Sequence, residues 1–220
     1  DNIHKEQISI QASLDEILCQ LPNLPLEDVP VGNDESSNKI ISENGKKNNF
    51  SFKAKSHYDL GKILGMIDFE LASKTSGARF VFLKGEIALL ERAISNFMID
   101  THTQTNGYTE ISPPLMASDD SMFGTGQLPK FEEDMYYIDR DDLYCIPTAE
   151  VPITSYYKNE TLLESDLPKK FTAYSACFRR EAGSYGSHVR GLNRLHQFDK
   201  VEIVRIESSE NSYKVLDEMV

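Results

Sequence analysis

The sequence predicts an α+β fold, an antiparallel β-sheet flanked by helices. Three observations carry that prediction. Strand-like segments follow one another in the second half of the chain, the helical patterns are kept apart from them, and no internal repeat or dinucleotide-type GxGxxG occurs. At 220 residues, 40% of them hydrophobic, the chain can bury a substantial core as one large domain or one domain with an appendage.

The elements read in order as follows. Ile3, Ile10 and Ile17 recur every seventh residue, with Leu14 and Leu21 beside them, until Pro22 ends the run; this is the seam of a helical arm over residues 1–21. Residues 22–56 are rich in Pro, Asn, Ser and Lys, a linker composition with one short strand expected at Phe50 to Lys53. The remainder, 57–220, reads as the main domain. A second helix is predicted from Lys84 to Thr105, with Ile87, Leu90, Ile94, Phe97 and Met98 on one face and Gly107 as its stop. In GYTEISPPLM, Tyr108 and Ile111 read as strand, and Pro113-Pro114 confine it to an edge or an interface. Strands are then predicted at Met135 to Asp139, Leu143 to Ile146, Phe171 to Arg180 and Leu195 to Arg205. The last residues keep a helical pattern to Val220 without a stop signal, as expected of a piece of a longer chain.

Charge and cysteine usage narrow the function classes. The net charge of -12 opposes general binding to DNA. Yet Lys169 to Arg205 holds eight basic residues against three acidic ones. Such a stretch on an acidic protein is accounted for first by internal ion pairs. Three scattered cysteines form neither a zinc pattern nor a disulfide framework, and no signal peptide or membrane-length apolar run is present, so a cytoplasmic compartment is expected.

The chemistry concentrates in FRREAGSYGSHVRGLNRLHQFDKVE, Phe178 to Glu202. Residues two apart in a strand share a face, which groups Arg179 with Glu181 and Phe198 with Lys200 and Glu202. If the two strands pair across the Gly-rich loop, an arginine, two carboxylates and an aromatic ring converge. Arginine binds phosphate oxygens in a planar fork, and a phenyl ring can stack a purine. Cross-strand Arg/Glu pairs on a sheet surface would use the same spacing. Upstream, CIPTAEVPI sets Thr148 and Glu150 in an apolar, proline-bounded segment, where a carboxylate needs a partner; a substrate ammonium or a buried arginine would serve.

FRRE, a twelve-residue loop and RLHQFD together resemble the second signature motif of the class II aminoacyl-tRNA synthetases. GYTEISPP is similar to their first, which forms the dimer interface in that class. TAE at 148–150, GTGQLPKF at 124–131, EAGSYG, RGL and HQFDKVE look like the seryl-tRNA synthetases within it, of bacterial type. The resemblance implies an ATP-dependent ligase that forms seryl-adenylate and passes the seryl group to the 3′ end of tRNA(Ser), acting as a homodimer. It implies that Arg179 is the catalytic residue, binding the α-phosphate and the serine carboxylate, with Glu181 on the adenine amine, Arg194 on the γ-phosphate and Phe198 on the adenine face. The implied ATP segments are Arg179, Arg180 and Glu181, then Arg194, Leu195, His196, Gln197 and Phe198. Arg180 occupies a variable position to which no role transfers. The serine site comprises Thr148, Ala149, Glu150, Arg179 and Glu202, with Thr148 and Glu150 on the ammonium and Glu202 reading the hydroxyl. The loop Gly183 to Arg190 would approach the tRNA end, and His188 within it is given no role. Most Mg2+ ligands and a further ATP arginine belong to a third motif that these residues lack, so the piece alone is expected to be inactive. Two other readings are a ligase loading an amino acid onto a carrier protein, which the heptad stump disfavours, and a non-catalytic dimerising or tRNA-binding module, which the joint presence of Arg179, Glu181, Arg194 and Phe198 disfavours.

Overall fold

The structure, a computed structural model, describes residues 2–182 and 191–220. It divides into two units, Asp1–Ala54 and Lys55–Val220. The Gly183 to Arg190 loop, with His188 and Arg190, lies outside the described residues.

In the first unit, helix α1 runs over Asn2–Gln20 and stops before Pro22. Its seam residues Ile3, Ile10, Leu14 and Ile17 stand in solvent. The strand expected at Phe50 to Lys53 does not form, because no neighbouring segment supplies a hydrogen-bonded ladder; instead Phe50 and Phe52 bring their rings to 5.2 Å.

The second unit opens with four elements that sequence pattern did not disclose: α2 (His57–Leu64), β1 (Ile67–Asp68), α3 (Phe69–Thr75) and β2 (Phe82–Leu83). Their signals are local caps rather than periodicity. Ser56 Oγ accepts from the Asp59 amide at 3.1 Å and Asp68 Oδ1 from the Leu71 amide at 2.9 Å, each satisfying a donor that the first helical turn leaves open. Strands β1 and β2 pair antiparallel.

Helix α4 covers Glu86–Asp100, shorter than the predicted run, and a wider turn at Thr101–Thr105 follows it. Its buried residue is Ile99; of the predicted apolar face, Ile87 is half-buried and Leu90, Ile94, Phe97 and Met98 are exposed. That stripe is apolar and exposed among the described residues.

Two three-stranded sheets make the body of the unit. Strands β4 (Met116–Ala117), β6 (Leu143–Cys145) and β5 (Tyr136–Ile138) lie antiparallel in that spatial order, with α5 (Asp119–Gly124) between β4 and β5 in the chain. The larger sheet orders β3 (Thr109–Glu110), β7 (Lys169–Phe178) and β8 (Gln197–Ile206). The long β7–β8 pair is antiparallel, and β3 joins the edge of β7 parallel to it, so the strand ahead of Pro113-Pro114 is an edge strand. Helix α6 (Glu150–Thr154) follows β6, and α7 (Ser212–Met219) follows β8.

Two apolar clusters hold these layers. Ala117, Met122, Met135, Tyr144, Ile146 and Val151 form one, and Ala149, Ile153, Phe171 and Ala173 the other, with Ile111, Tyr157 and Val204 at its margin. Cys19, Cys145 and Cys177 are free thiols. Among the described residues no helix is long and apolar enough to cross a membrane.

Candidate active site

The site is built on the β7–β8 ladder. Ala173 pairs with Glu202, Ser175 with Lys200 and Cys177 with Phe198, and the ladder continues past the strand end because the Arg179 amide donates to His196 O at 2.9 Å. Side chains of directly opposed residues share a face. Arg179, Phe198, Lys200 and Glu202 therefore project from one side of the sheet, above the small residues Ala173 and Ser175.

Arg179 is oriented twice. Its Nε donates to Pro147 O at 3.2 Å, and its guanidinium carbon lies 5.2 Å from the centroid of the Phe198 ring. A cation over a ring face is worth about 0.5–1 kcal/mol where solvent reaches it and more when water is excluded. Among the described residues no protein acceptor takes the terminal Nη groups of Arg179, which leaves them to a ligand.

Glu181 reaches the site by another route than the predicted strand alternation. Strand β7 ends at Phe178, and Glu181 has a left-handed backbone with φ of 53°. The turn is fastened by Asp134, whose carbonyl accepts from the Arg180 amide at 2.8 Å and whose carboxylate accepts from the Ala182 amide at 2.6 Å. Arg79 Nη1 donates to Glu181 O at 2.9 Å. The Glu181 carboxylate, only 9% exposed, then meets Arg194 Nη1 at 3.3 Å, whose own side chain is 53% exposed. A cavity of about 380 Å³ opens here, lined by Gln127, Phe131, Asp134, Arg179, Glu181 and Arg194 among others. Its volume falls in the range of small-ligand sites.

Not all predicted residues join this cavity. Arg180 points elsewhere, lining a different hollow with Glu132, Glu133 and Tyr136, as expected of a neighbour one position out of phase. Leu195 is buried. His196 packs its ring near Phe80 and Tyr136, with Nδ1 3.0 Å from Arg179 O, so it braces the ladder. Phe198 and Gln197 line a second cavity of about 510 Å³ together with Phe80, Glu91 and Asp199.

The amino-acid side of the site lies further along the same face. Thr148, 3% exposed, sits just before α6 and donates from Oγ1 to Glu202 Oε2 at 2.7 Å. Lys200 Nζ donates to Thr148 Oγ1 at 2.6 Å and also contacts Glu202 Oε2. Two expectations change here. Glu150 is not held in an apolar setting: it is exposed at the first residue of α6, and its amide donates to Thr148 Oγ1 at 3.2 Å. Ala149 turns its methyl group into the core, fully buried beside Phe171 and Ala173, so its side chain offers a ligand nothing.

Internal ion pairs, which charge counting favours, take up only three of the eight basic residues of the segment, among those described. Arg194 meets Glu181, Lys200 meets Glu202, and Arg205 bridges Glu207 at 2.7 Å and Glu218 at 2.8 Å. Arg205 lowers the Glu207 pKa, chiefly through their hydrogen bond. Cys177, beneath Arg179 on the same face, has its thiol pushed up by burial, which keeps it protonated and un-nucleophilic. Residues that the motif reading passed over are Arg79, Asp134, Gln127 and Lys200. Only Gln127 and Lys200 lie in quoted motifs; Arg79 and Asp134 act through backbone contacts that leave no pattern in the sequence.

Residues 130–220 match the family model for the tRNA synthetase class II core domain (G, H, P, S and T). Over its whole length the chain is 52% identical to a serine–tRNA ligase of Pelagibacter ubique, of which it covers 53%. It is also 52% identical over 96% of its length to a serine–tRNA ligase of Staphylococcus saprophyticus, covering 49% of that protein. Among solved structures it is similar to a seryl-tRNA synthetase from Pyrococcus horikoshii complexed with ATP, with a TM-score of 0.91 at 34% identity, covering 99% of this chain and 53% of that one. A cytoplasmic serine–tRNA ligase from Naegleria fowleri in complex with AMP gives a TM-score of 0.89 at 31% identity, covering 99% of this chain and 52% of that one. The chain spans about half the length of the curated relatives it matches. Residues 130–220 thus match the class II tRNA synthetase core, and the whole chain is similar in sequence and fold to about half of a seryl-tRNA synthetase.

Proposed function

We propose that the protein to which this chain belongs is a serine–tRNA ligase. It activates serine with ATP and transfers the seryl group to the 3′ end of tRNA(Ser). In the first step a serine carboxylate oxygen attacks the α-phosphorus of ATP, the bond from that phosphorus to the bridging oxygen breaks, and pyrophosphate leaves. The terminal ribose hydroxyl of the tRNA then attacks the seryl carbonyl, and AMP departs.

The observation that carries this reading is the setting of Arg179, braced by Pro147 O and Phe198, with terminal donors that no acceptor among the described residues takes, beside a cavity that Glu181 and Arg194 also line. Its fixed positive charge suits the negative charge that grows on the α-phosphate, so catalysis rests on positioning and charge and needs no covalent nucleophile. Arg194, half exposed, fits the outer phosphates. Glu181 suits the adenine amine and Glu202 the serine hydroxyl. A site that hydrogen-bonds a hydroxyl can reject its hydroxyl-less analogue by roughly 10⁴–10⁵. The complexes of similar proteins with ATP and AMP support the nucleotide part.

The described residues contain no cluster of three or more metal-binding side chains, so they do not make a Mg2+ cage, and the scheme assigns no step to one. The proposal extends to a homodimer, supported by the exposed apolar stripe of α4 and the edge strand β3. It extends also to an arm over 1–21, a linker over 22–56, a catalytic domain over 57–220 and a cytoplasmic location. In the whole protein, pyrophosphate should exchange into ATP only when serine is supplied, and Arg179→Ala should slow that exchange by roughly 10²–10³, the cost of removing one charge-stabilising donor. Exchange driven by another amino acid, or by none, would refute the assignment.

A further inference from the structure

Lys200 has no part in the scheme above, yet it touches two of the groups expected to hold serine, Thr148 and Glu202. It stands in the middle of β8 opposite buried Ser175, two residues from Glu202 on the same face. Its Nζ donates to Thr148 Oγ1 at 2.6 Å and contacts Glu202 Oε2, while Thr148 Oγ1 donates to that same Oε2 at 2.7 Å.

The capacity of these groups decides what remains for a ligand. A threonine hydroxyl has one proton and two lone pairs. Thr148 gives its proton to Glu202 and receives from Lys200 and from the Glu150 amide, so its hydroxyl is fully committed. Both donors to the Glu202 carboxylate use one oxygen, Oε2, and among the described residues Oε1 has no protein donor. The Lys200 and Glu202 side chains are 30% and 20% exposed, enough to be reached by a small ligand and too little for water to screen the pair fully.

We infer that Lys200 is a positioning residue of the amino-acid site: with Thr148 it fixes Oε2 of an anionic Glu202, and so presents Oε1 as the acceptor for a substrate hydroxyl. This rests on the serine reading and deepens it. The ammonium of the substrate must then find its acceptor elsewhere than the Thr148 hydroxyl, and the exposed Glu150 carboxylate is the nearest acid in sequence. A rival role for Lys200 is that of a plug that occupies an ammonium seat and must leave when serine enters. The two roles differ in sign, because removing a plug tightens serine binding and removing a brace weakens it.

The test is serine-dependent pyrophosphate exchange by the whole protein carrying Lys200→Met, Lys200→Gln or Lys200→Arg. The brace predicts that Met and Gln raise the KM for serine by about tenfold or more, the scale of one hydrogen bond to a charged group. The KM for ATP should stay within about twofold of the unaltered protein, the preference for serine over alanine should narrow, and Arg should recover part of the loss. An unchanged or lowered serine KM in Met and Gln overturns the inference, as does an equal rise in both KM values. If neither uncharged variant folds, Lys200 is a structural ion-pair partner and the inference also fails. If the unaltered protein shows no serine-dependent exchange, the functional reading falls first and takes this one with it; where that exchange is present, the variants bear on Lys200 alone.

Discussion

Arg179 and Arg180 are chemically identical neighbours with different surroundings. One lies over Phe198 with its Nε on Pro147, the other lines a hollow with Glu132 and Tyr136. The alternation of an extended chain produces the difference, so residue type alone could not assign a role to either. The same scale explains Gly191, which has φ of 86° while the Leu192 amide next to it donates to His57 Nε2 at 2.8 Å. A methyl group at 191 would run into the His57 ring and would also strain the backbone. Gly191→Ala should lower the unfolding free energy by roughly 1–3 kcal/mol, the cost of a residue forced into a sparsely populated conformation. A urea titration followed by circular dichroism checks it; an unchanged midpoint would mean that the His57 contact is dispensable.

At the scale of elements, the β7–β8 ladder brings together residues that are far apart in sequence. Tyr174 Oη donates across it to Asp199 Oδ2 at 2.7 Å. Burial first, and then this bond, push the Tyr174 phenol up to about 12. A phenol whose folded value is raised favours the protonated fold. Its contribution is complete below the ordinary value of about 10 and is lost as pH rises through the folded value. Tyr137, bonded to Asp142, is likewise raised to about 12. Titration of phenolate absorbance should show these two ionising late, and Tyr174→Phe should remove one late-titrating group; an unchanged curve would place the Asp199 bond outside the solution structure. The ladder was also the most legible element, because β-branched and aromatic runs flank a Gly-rich loop. Its limits moved by one or two residues, and Glu181 left the strand alternation because the turn at Asp134 outweighs it. The two-residue strands β1 and β2 carry too little periodicity to be read, and the caps of the neighbouring helices at Ser56 and Asp68 are common residue types.

For the whole molecule, the sequence revealed the chemistry better than the burial. Motif order supplied the family and the residues to inspect, whereas the fate of Glu150, Ala149 and His196 depended on which face of a short helix or ladder each occupied. The exposed stripe on α4 shows the limit in reverse: Leu90, Ile94, Phe97 and Met98 have an apolar face pattern, yet they are exposed among the described residues. Among the described contacts, the Pro147–Thr148 peptide joins the two halves of the site. Its carbonyl oxygen steadies Arg179, and the hydroxyl of its second residue secures Glu202 and Lys200. Linkage between the two seats is the expectation that follows from this shared peptide. In the whole protein a non-hydrolysable ATP analogue should raise serine affinity by ~5-fold or more, and serine should raise analogue affinity by the same factor. Calorimetry with each partner present and absent measures both, and independent affinities would disprove the linkage. Synergy of this kind would leave the nucleotide loosely held when the amino acid is scarce.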